Sequence, residues 1–197
     1  MMTSPQEYQR VMLEVLPEQG RLSEEDYLWL TDHTSRLIEF TDGFIEVLPM
    51  PTRAHQLILK FLLRLFESAV EPAGGIVLFA PMRVRLASFR FREPDLLLLR
   101  DAADPRNQNR YWRGADLVLE VVSTDKPERD LVVKREEYAA AGIPEYWIVN
   151  PLDRTITVLT LEGDTYREHG IFVPGAQATS VLLAGFAVDV RAVFAAA

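Results

Sequence analysis

The amino-acid sequence predicts an α+β fold: a mixed β-sheet flanked by helices. Three observations carry this prediction. The run "ADLVLEVV" is continuously apolar apart from one acid, as expected of a central strand buried on both faces. A helical stretch and a second apolar run, "PEYWIVN", follow it, which makes a strand–helix–strand crossover with parallel strands. Alternating runs joined by two-residue turn signals lie on both sides of this unit and read as antiparallel hairpins.

Taken in order, "SEEDYLWL" opens with a capping-box pattern from Ser23 to Asp26 and predicts a short helix. "RLIEFTDGFIEVLP" alternates around Asp42-Gly43 and predicts a hairpin. In "TRAHQLILKFLLRLFESAV", Leu57, Ile58, Phe61, Leu62, Leu65 and Phe66 mark the broad apolar face of a long amphipathic helix. "IVLFAPMRVRL" and "FRFREPDLLLL" are strand-rich, and Asp101 to Gly114 is a loop. Pro127 suits a helix start and Gly142 a helix end, so residues 127–141 form the crossover helix. "TITVLTLEGDTYREHGIFV" is a hairpin turned at Gly163-Asp164, and the closing "AGFAVDVRAVF" is too short to assign. With no repeat, low-complexity tract or linker, residues 1–197 read as one domain.

Composition narrows the function. The chain has 197 residues, 48% hydrophobic and 25% charged, in the ordinary globular range. No apolar run is long enough to span a bilayer, and "MMTSPQEYQR" lacks a signal-peptide pattern, so a cytoplasmic protein without membrane contact is expected. The absence of cysteine excludes disulfides and thiolate metal sites, leaving oxygen and nitrogen ligands. A net charge of −8 opposes bulk electrostatic coating of nucleic acid. Locally the balance reverses. Arg83, Arg85, Arg90, Arg92, Arg100, Arg106 and Arg110 lie between Met82 and Trp112, against Glu93, Asp95, Asp101 and Asp104. Arginine is the side chain that grips phosphate with a planar fork.

Two acids stand where apolar residues are expected. Glu120 interrupts the central strand, and Asp95 precedes four leucines. An unpaired buried charge is costly, so each needs a partner or a metal. If the two strands pair, both carboxylates converge, and a divalent ion removes their repulsion. Hard oxygen ligands suit Mg²⁺ or Mn²⁺. Alternation puts Val118, Glu120 and Val122 on one face, so no lysine stands two residues after the glutamate. Asp130, Lys134 and Tyr138 share a face of the following helix, from which Lys134 can reach that place. His55, in the first turn of the long helix, and Glu39, in the first hairpin, are candidates to complete the metal shell or handle a proton. The bland alternatives are a strand-entry aspartate at 95, a buried salt bridge at Glu120, a surface pair at Lys134 and a solvated arginine face.

The segments "RLIEFTDGFIEVLPMPTRAHQLI", "REPDLLLL", "ADLVLEVVS", "RDLVVKREEYAAAGIPEYWIVNP" and "AGFAVDV" resemble, in order, the Uma-two family of restriction-endonuclease-like proteins. That family belongs to the PD-(D/E)XK nuclease superfamily. The resemblance implies a restriction-endonuclease-like core and Mg²⁺-dependent or Mn²⁺-dependent hydrolysis of phosphodiester bonds, with DNA as the expected substrate. It also implies catalytic roles for Asp95, Glu120, Lys134, His55 and Glu39. Asp95 matches the PD aspartate, Glu120 the (D/E) position, and Lys134 a lysine moved onto the helix. Asp95, Glu120 and the carbonyl of Val121 would hold the metal. Arg83, Arg85, Arg110 and Arg113 are the expected nucleic-acid contacts, and a homodimer would suit double-strand cutting. The alternative is a nuclease-like fold retained as a non-catalytic nucleic-acid-binding or protein-interaction module.

Overall fold

The computed structural model describes residues 18–197, so the segment "MMTSPQEYQR" lies outside the described residues. Helix α1 (Glu24–Asp32) begins with the expected capping box between Ser23 and Asp26. Strands β1 (Ile38–Thr41) and β2 (Phe44–Val47) form the first hairpin. Asp42 and Gly43 have φ of 50° and 85°, the left-handed pair that a tight two-residue hairpin turn requires. Helix α2 (Arg53–Val70) is capped by the Thr52 side chain. Strands β3 (Ile76–Phe79), β4 (Val84–Ala87), β5 (Arg90–Arg92) and β6 (Leu96–Leu99) follow. "FRFREPDLLLL" therefore splits into two strands, and these belong to different sheets.

The larger sheet has six strands in the order β10-β9-β8-β7-β6-β3. Strand β7 (Leu117–Val121) is central, fully buried, antiparallel to β6 and parallel to β8 (Glu145–Asn150). Strands β9 (Thr155–Glu162) and β10 (Thr165–Phe172) make the expected hairpin at one edge. Helix α2 packs on one face, setting Ile58, Leu62 and Phe66 against Leu117, Leu119, Val121 and Trp147. The crossover segment packs on the other, where Tyr138 and Ala139 meet Val118, Val122 and Tyr146.

The crossover segment is helical from Pro127 as expected, but not as one regular α-helix. Residues Arg129–Val133 form a π-turn, and helix α3 (Lys134–Ala140) continues from it. The wider turn buries Asp130 and Lys134 while Leu131, Val132 and Val133 face solvent.

The smaller sheet, β2-β1-β5-β4, has two dissimilar faces. Phe40 and Phe91 pack with Tyr27 of α1. Alternation then turns Glu39 and Arg92 the opposite way, toward α3. The C-terminal residues form strands β11 (Gln177–Thr179) and β12 (Ala187–Asp189) and a last helix, α4 (Val190–Ala195), against the α2 side.

Candidate active site

Strand register brings the two acids together. Leu96 of β6 pairs with Leu119 of β7, so the next positions along the ladder are Asp95 and Glu120. The Asp95 amide lies 3.4 Å from Glu120 Oε2. Asp95 Oδ2 accepts a hydrogen bond from the Val121 amide at 2.7 Å, fixing the aspartate at the strand mouth.

Helix α3 supplies the cation. Lys134 is 3% exposed, and its Nζ lies 2.8 Å from Glu120 Oε1, 3.0 Å from Glu39 Oε1 and 3.4 Å from Asp130 Oδ1. Tyr138 donates to the same Glu120 oxygen at 2.6 Å. The polar face Asp130–Lys134–Tyr138 thus points inward against the central strand, and the surface-pair reading of Lys134 fails. The helical spacing of Asp130, Lys134 and Tyr138 marks that face in the sequence, while only Lys134 is a site candidate there. Asp130 and Tyr138 belong to the same cluster.

Glu39 arrives from the smaller sheet, and Arg92 braces it there. Arg92 grips Glu137 of α3 through two hydrogen bonds and lies 3.7 Å from Glu39. The smaller sheet is thereby tied to α3, and Lys134 is enclosed between the two. His55 enters from the α2 face, with Nε2 3.0 Å from Asp95 Oδ2. All five residues expected in the site, Asp95, Glu120, Lys134, His55 and Glu39, meet in one cluster. Arg92 and Glu137 left no signal beyond the alternation of "FRFRE", because their partnership is tertiary.

The cluster is electrostatically unbalanced. Burial pushes the Glu120 carboxyl above the ordinary range; Lys134 opposes this, while Asp130, Asp95 and Glu39 add to it. Burial works against the Lys134 charge, but Glu120, Glu39 and Asp130 outweigh it and hold the ammonium protonated. Burial likewise disfavours charge on His55, yet Asp95 and the Val121 backbone raise its pKa above the usual value. Two residues before Asp95, Glu93 is buried and its carboxyl is pushed up to about 8.

Several polar atoms remain uncommitted. Among the described residues, His55 Nδ1 is buried without a hydrogen-bond partner, and Glu39 Oε1 has only its ion pair with Lys134. Glu120 Oε2 has only the long contact from Asp95. No three His, Asp or Glu side chains among the described residues form a ready-made metal cluster. An ion held by two carboxylates and a backbone carbonyl needs no third side chain, since Mg²⁺ retains several waters. The donor set, all hard oxygen, fits such an ion.

The arginines expected to bind nucleic acid are placed elsewhere. Arg83 hydrogen-bonds Thr31 and Asp32 of α1, Arg110 pairs with Asp32, and Arg85 with Glu24. These contacts lie on the α1 face of the smaller sheet, opposite Glu39. Arg113 is exposed, in the loop before β7. The expected track is therefore not brought to the site: acids distant in sequence have claimed three of its four members.

A mixed sheet whose adjacent strands present an aspartate and a glutamate to a buried lysine on the crossover helix defines a restriction-endonuclease-like protein. A family model described as "Uma2: Putative restriction endonuclease" matches residues 24–191, and the chain belongs to that family. The chain is also similar to a crystal structure titled "a putative nuclease belonging to DUF820 from Anabaena variabilis ATCC 29413". The two share 18% identity at a TM-score of 0.73, over 89% of this chain and 98% of that one. At that identity the likeness speaks for the fold alone. No curated protein matches the chain significantly. A family so described is one of restriction-endonuclease type, for which nucleic acid is the substrate class. Among the described residues, no helix is long and apolar enough to cross a membrane.

Proposed function

We propose that this chain is a divalent-metal-dependent nuclease that hydrolyses phosphodiester bonds in DNA. Asp95, Glu120 and the Val121 carbonyl would hold Mg²⁺ or Mn²⁺. The observation that carries this reading is the excess of acids at one place: Glu39, Glu120 and Asp130 surround one ammonium, Lys134, and Asp95 adjoins Glu120 at the strand mouth. Such a cluster is unfavourable without a further cation. The family's description as restriction endonucleases supports DNA as the substrate.

When bound, the ion would lower the pKa of a bound water and offset charge on the phosphoryl oxygens. The chain's own residues divide the remaining work. Lys134 stays protonated among its acids, so it orients the water or stabilises developing negative charge and does not act as a base. Tyr138 and Lys134 both hold Glu120 Oε1, which keeps Oε2 turned to Asp95. His55 fixes Asp95, and Glu39 holds Lys134 in place.

The test is cleavage of plasmid and linear DNA with Mg²⁺, Mn²⁺ or EDTA, in wild type and Glu120→Gln. Cleavage that needs the metal and Glu120 is the expected result. Metal-dependent binding without cleavage in any condition would favour the non-catalytic module instead.

A further inference from the structure

Glu46 stands across from Glu39 in the β1–β2 ladder, so it shares the sheet face that looks onto the site. A cavity of about 110 Å³ is lined by Glu39, Thr41, Phe44, Ile45, Glu46 and Arg92, so the buried Glu39 and the more exposed Glu46 share it. Here two cations converge on a single carboxylate oxygen. Lys126 Nζ and Arg129 both reach Glu46 Oε1 at 2.7 Å. Both cations belong to the segment that links the Glu120 strand to the Lys134 helix.

We propose that Lys126 and Arg129 form a subsite for a DNA backbone phosphate next to the scissile one, and that Glu46 occupies it in the resting protein as a stand-in for that phosphate. This rests on the nuclease reading above. One oxygen gathering an ammonium and a guanidinium is the pattern a phosphate oxygen makes with the same groups. Elsewhere near the smaller sheet the arginines are committed to other acids: Arg83 and Arg110 to Asp32, Arg85 to Glu24 and Arg92 to Glu137. Among the described residues, Lys126 and Arg129 have Glu46 as their one acidic partner. Their pair is also open. The Lys126 and Glu46 side chains are 60% and 44% exposed, and Arg129, at 12%, lies beneath them. An exposed ion pair of this kind holds weakly, and a phosphodiester carried in by other contacts can displace it. Displacement would swing Glu46 away from the cavity whose lining it shares with Glu39.

The test is a mutant cycle read by fluorescence anisotropy of a labelled DNA duplex in EDTA, across a salt series. Glu46→Gln frees both cations. It should tighten binding several-fold and steepen the log affinity–log salt slope by about one to two. In Glu46→Gln/Lys126→Gln most of that gain should vanish, because the substitutions act on one subsite. Thermal melts should place both variants near wild type. A gain that persists undiminished in the double variant would mean generic charge removal and overturn the subsite. Weaker binding by Glu46→Gln would mean that the ion pair only braces the hairpin, and would overturn it too. If wild type binds no DNA in EDTA or with Ca²⁺ and cleaves none with Mg²⁺, the nuclease reading itself fails. That result is distinct from DNA binding that is indifferent to Glu46.

Discussion

Two glutamates are buried in neighbouring strands of the same sheet, and they could hardly be treated more differently. Glu145 of β8 is 1% exposed and accepts hydrogen bonds from Trp147 Nε1, Ser180 Oγ and the amides of Val181 and Leu182, at 2.6–2.8 Å. Among the described residues no cation pairs with it. Four neutral donors saturate both oxygens, and the carboxylate anchors the loop before β12. Glu120 of β7, 3% exposed on the opposite face, has two donors on one oxygen, a long contact on the other and three more acids nearby. A buried charge kept for structure has its lone pairs filled. One kept for chemistry is left partly unfilled, at a cost in stability.

The largest expected difference between them is in activity. Glu120→Gln and Asp95→Asn should each lower metal-dependent cleavage on the order of a thousandfold or more, while urea melts show Glu120→Gln as stable as wild type or more so. Glu145→Gln should do the reverse. Its amide cannot accept all four donors, so stability drops by about 1–3 kcal/mol, and cleavage per folded molecule is kept. If the two glutamines gave the same pattern, the contrast would dissolve.

Removing the cation sharpens the contrast from the other side. Lys134→Met leaves Glu39, Glu120 and Asp130 buried without their shared partner. A loss of about 3–5 kcal/mol in urea unfolding is expected, partly restored by Mn²⁺ because the ion binds the native arrangement alone. Substitution of a surface lysine would move stability by well under 1 kcal/mol.

Acidity adds a smaller, graded effect. The Glu93 carboxyl is pushed up to about 8 by burial, with the Ile38 amide opposing and Glu39 adding. The folded state therefore holds this proton where the unfolded chain has released it, and stability falls as pH rises between about 5 and 8. Glu93→Gln should flatten that part of the stability–pH curve. An unchanged slope would move the pH dependence to the Glu120 cluster.

The smallest effect is expected on the α1 face. Arg83→Gln and Arg110→Gln should leave DNA affinity within about twofold of wild type; Arg110→Gln, in the more exposed pair, should reduce stability by about 1 kcal/mol or less. A large loss of DNA binding would return the phosphate track to these arginines.

What could be read from the sequence follows the same division. Glu120 stood out because a lone acid breaks an aliphatic run, and Lys134 because Asp130, Lys134 and Tyr138 recur at helical spacing. The hairpin at Asp42-Gly43, the capping box at Ser23 and the parallel crossover are local or periodic features, and the structure has each of them. The π-turn at Arg129–Val133 has no such signature, since it depends on packing Asp130 inward. The pairing of Arg83 and Arg110 with Asp32 joins segments more than fifty residues apart, which composition cannot foresee. Glu145 was equally silent: three of its four donors come from a loop some thirty-five residues later.

The central claim is that Glu120 was left unsatisfied to hold a cation with Asp95. Titration calorimetry of Mn²⁺ into wild type and Glu120→Gln, each verified as folded by circular dichroism, tests this most directly. The account predicts saturable binding in wild type that is lost in Glu120→Gln. Equal stoichiometry and affinity in the two proteins would contradict it.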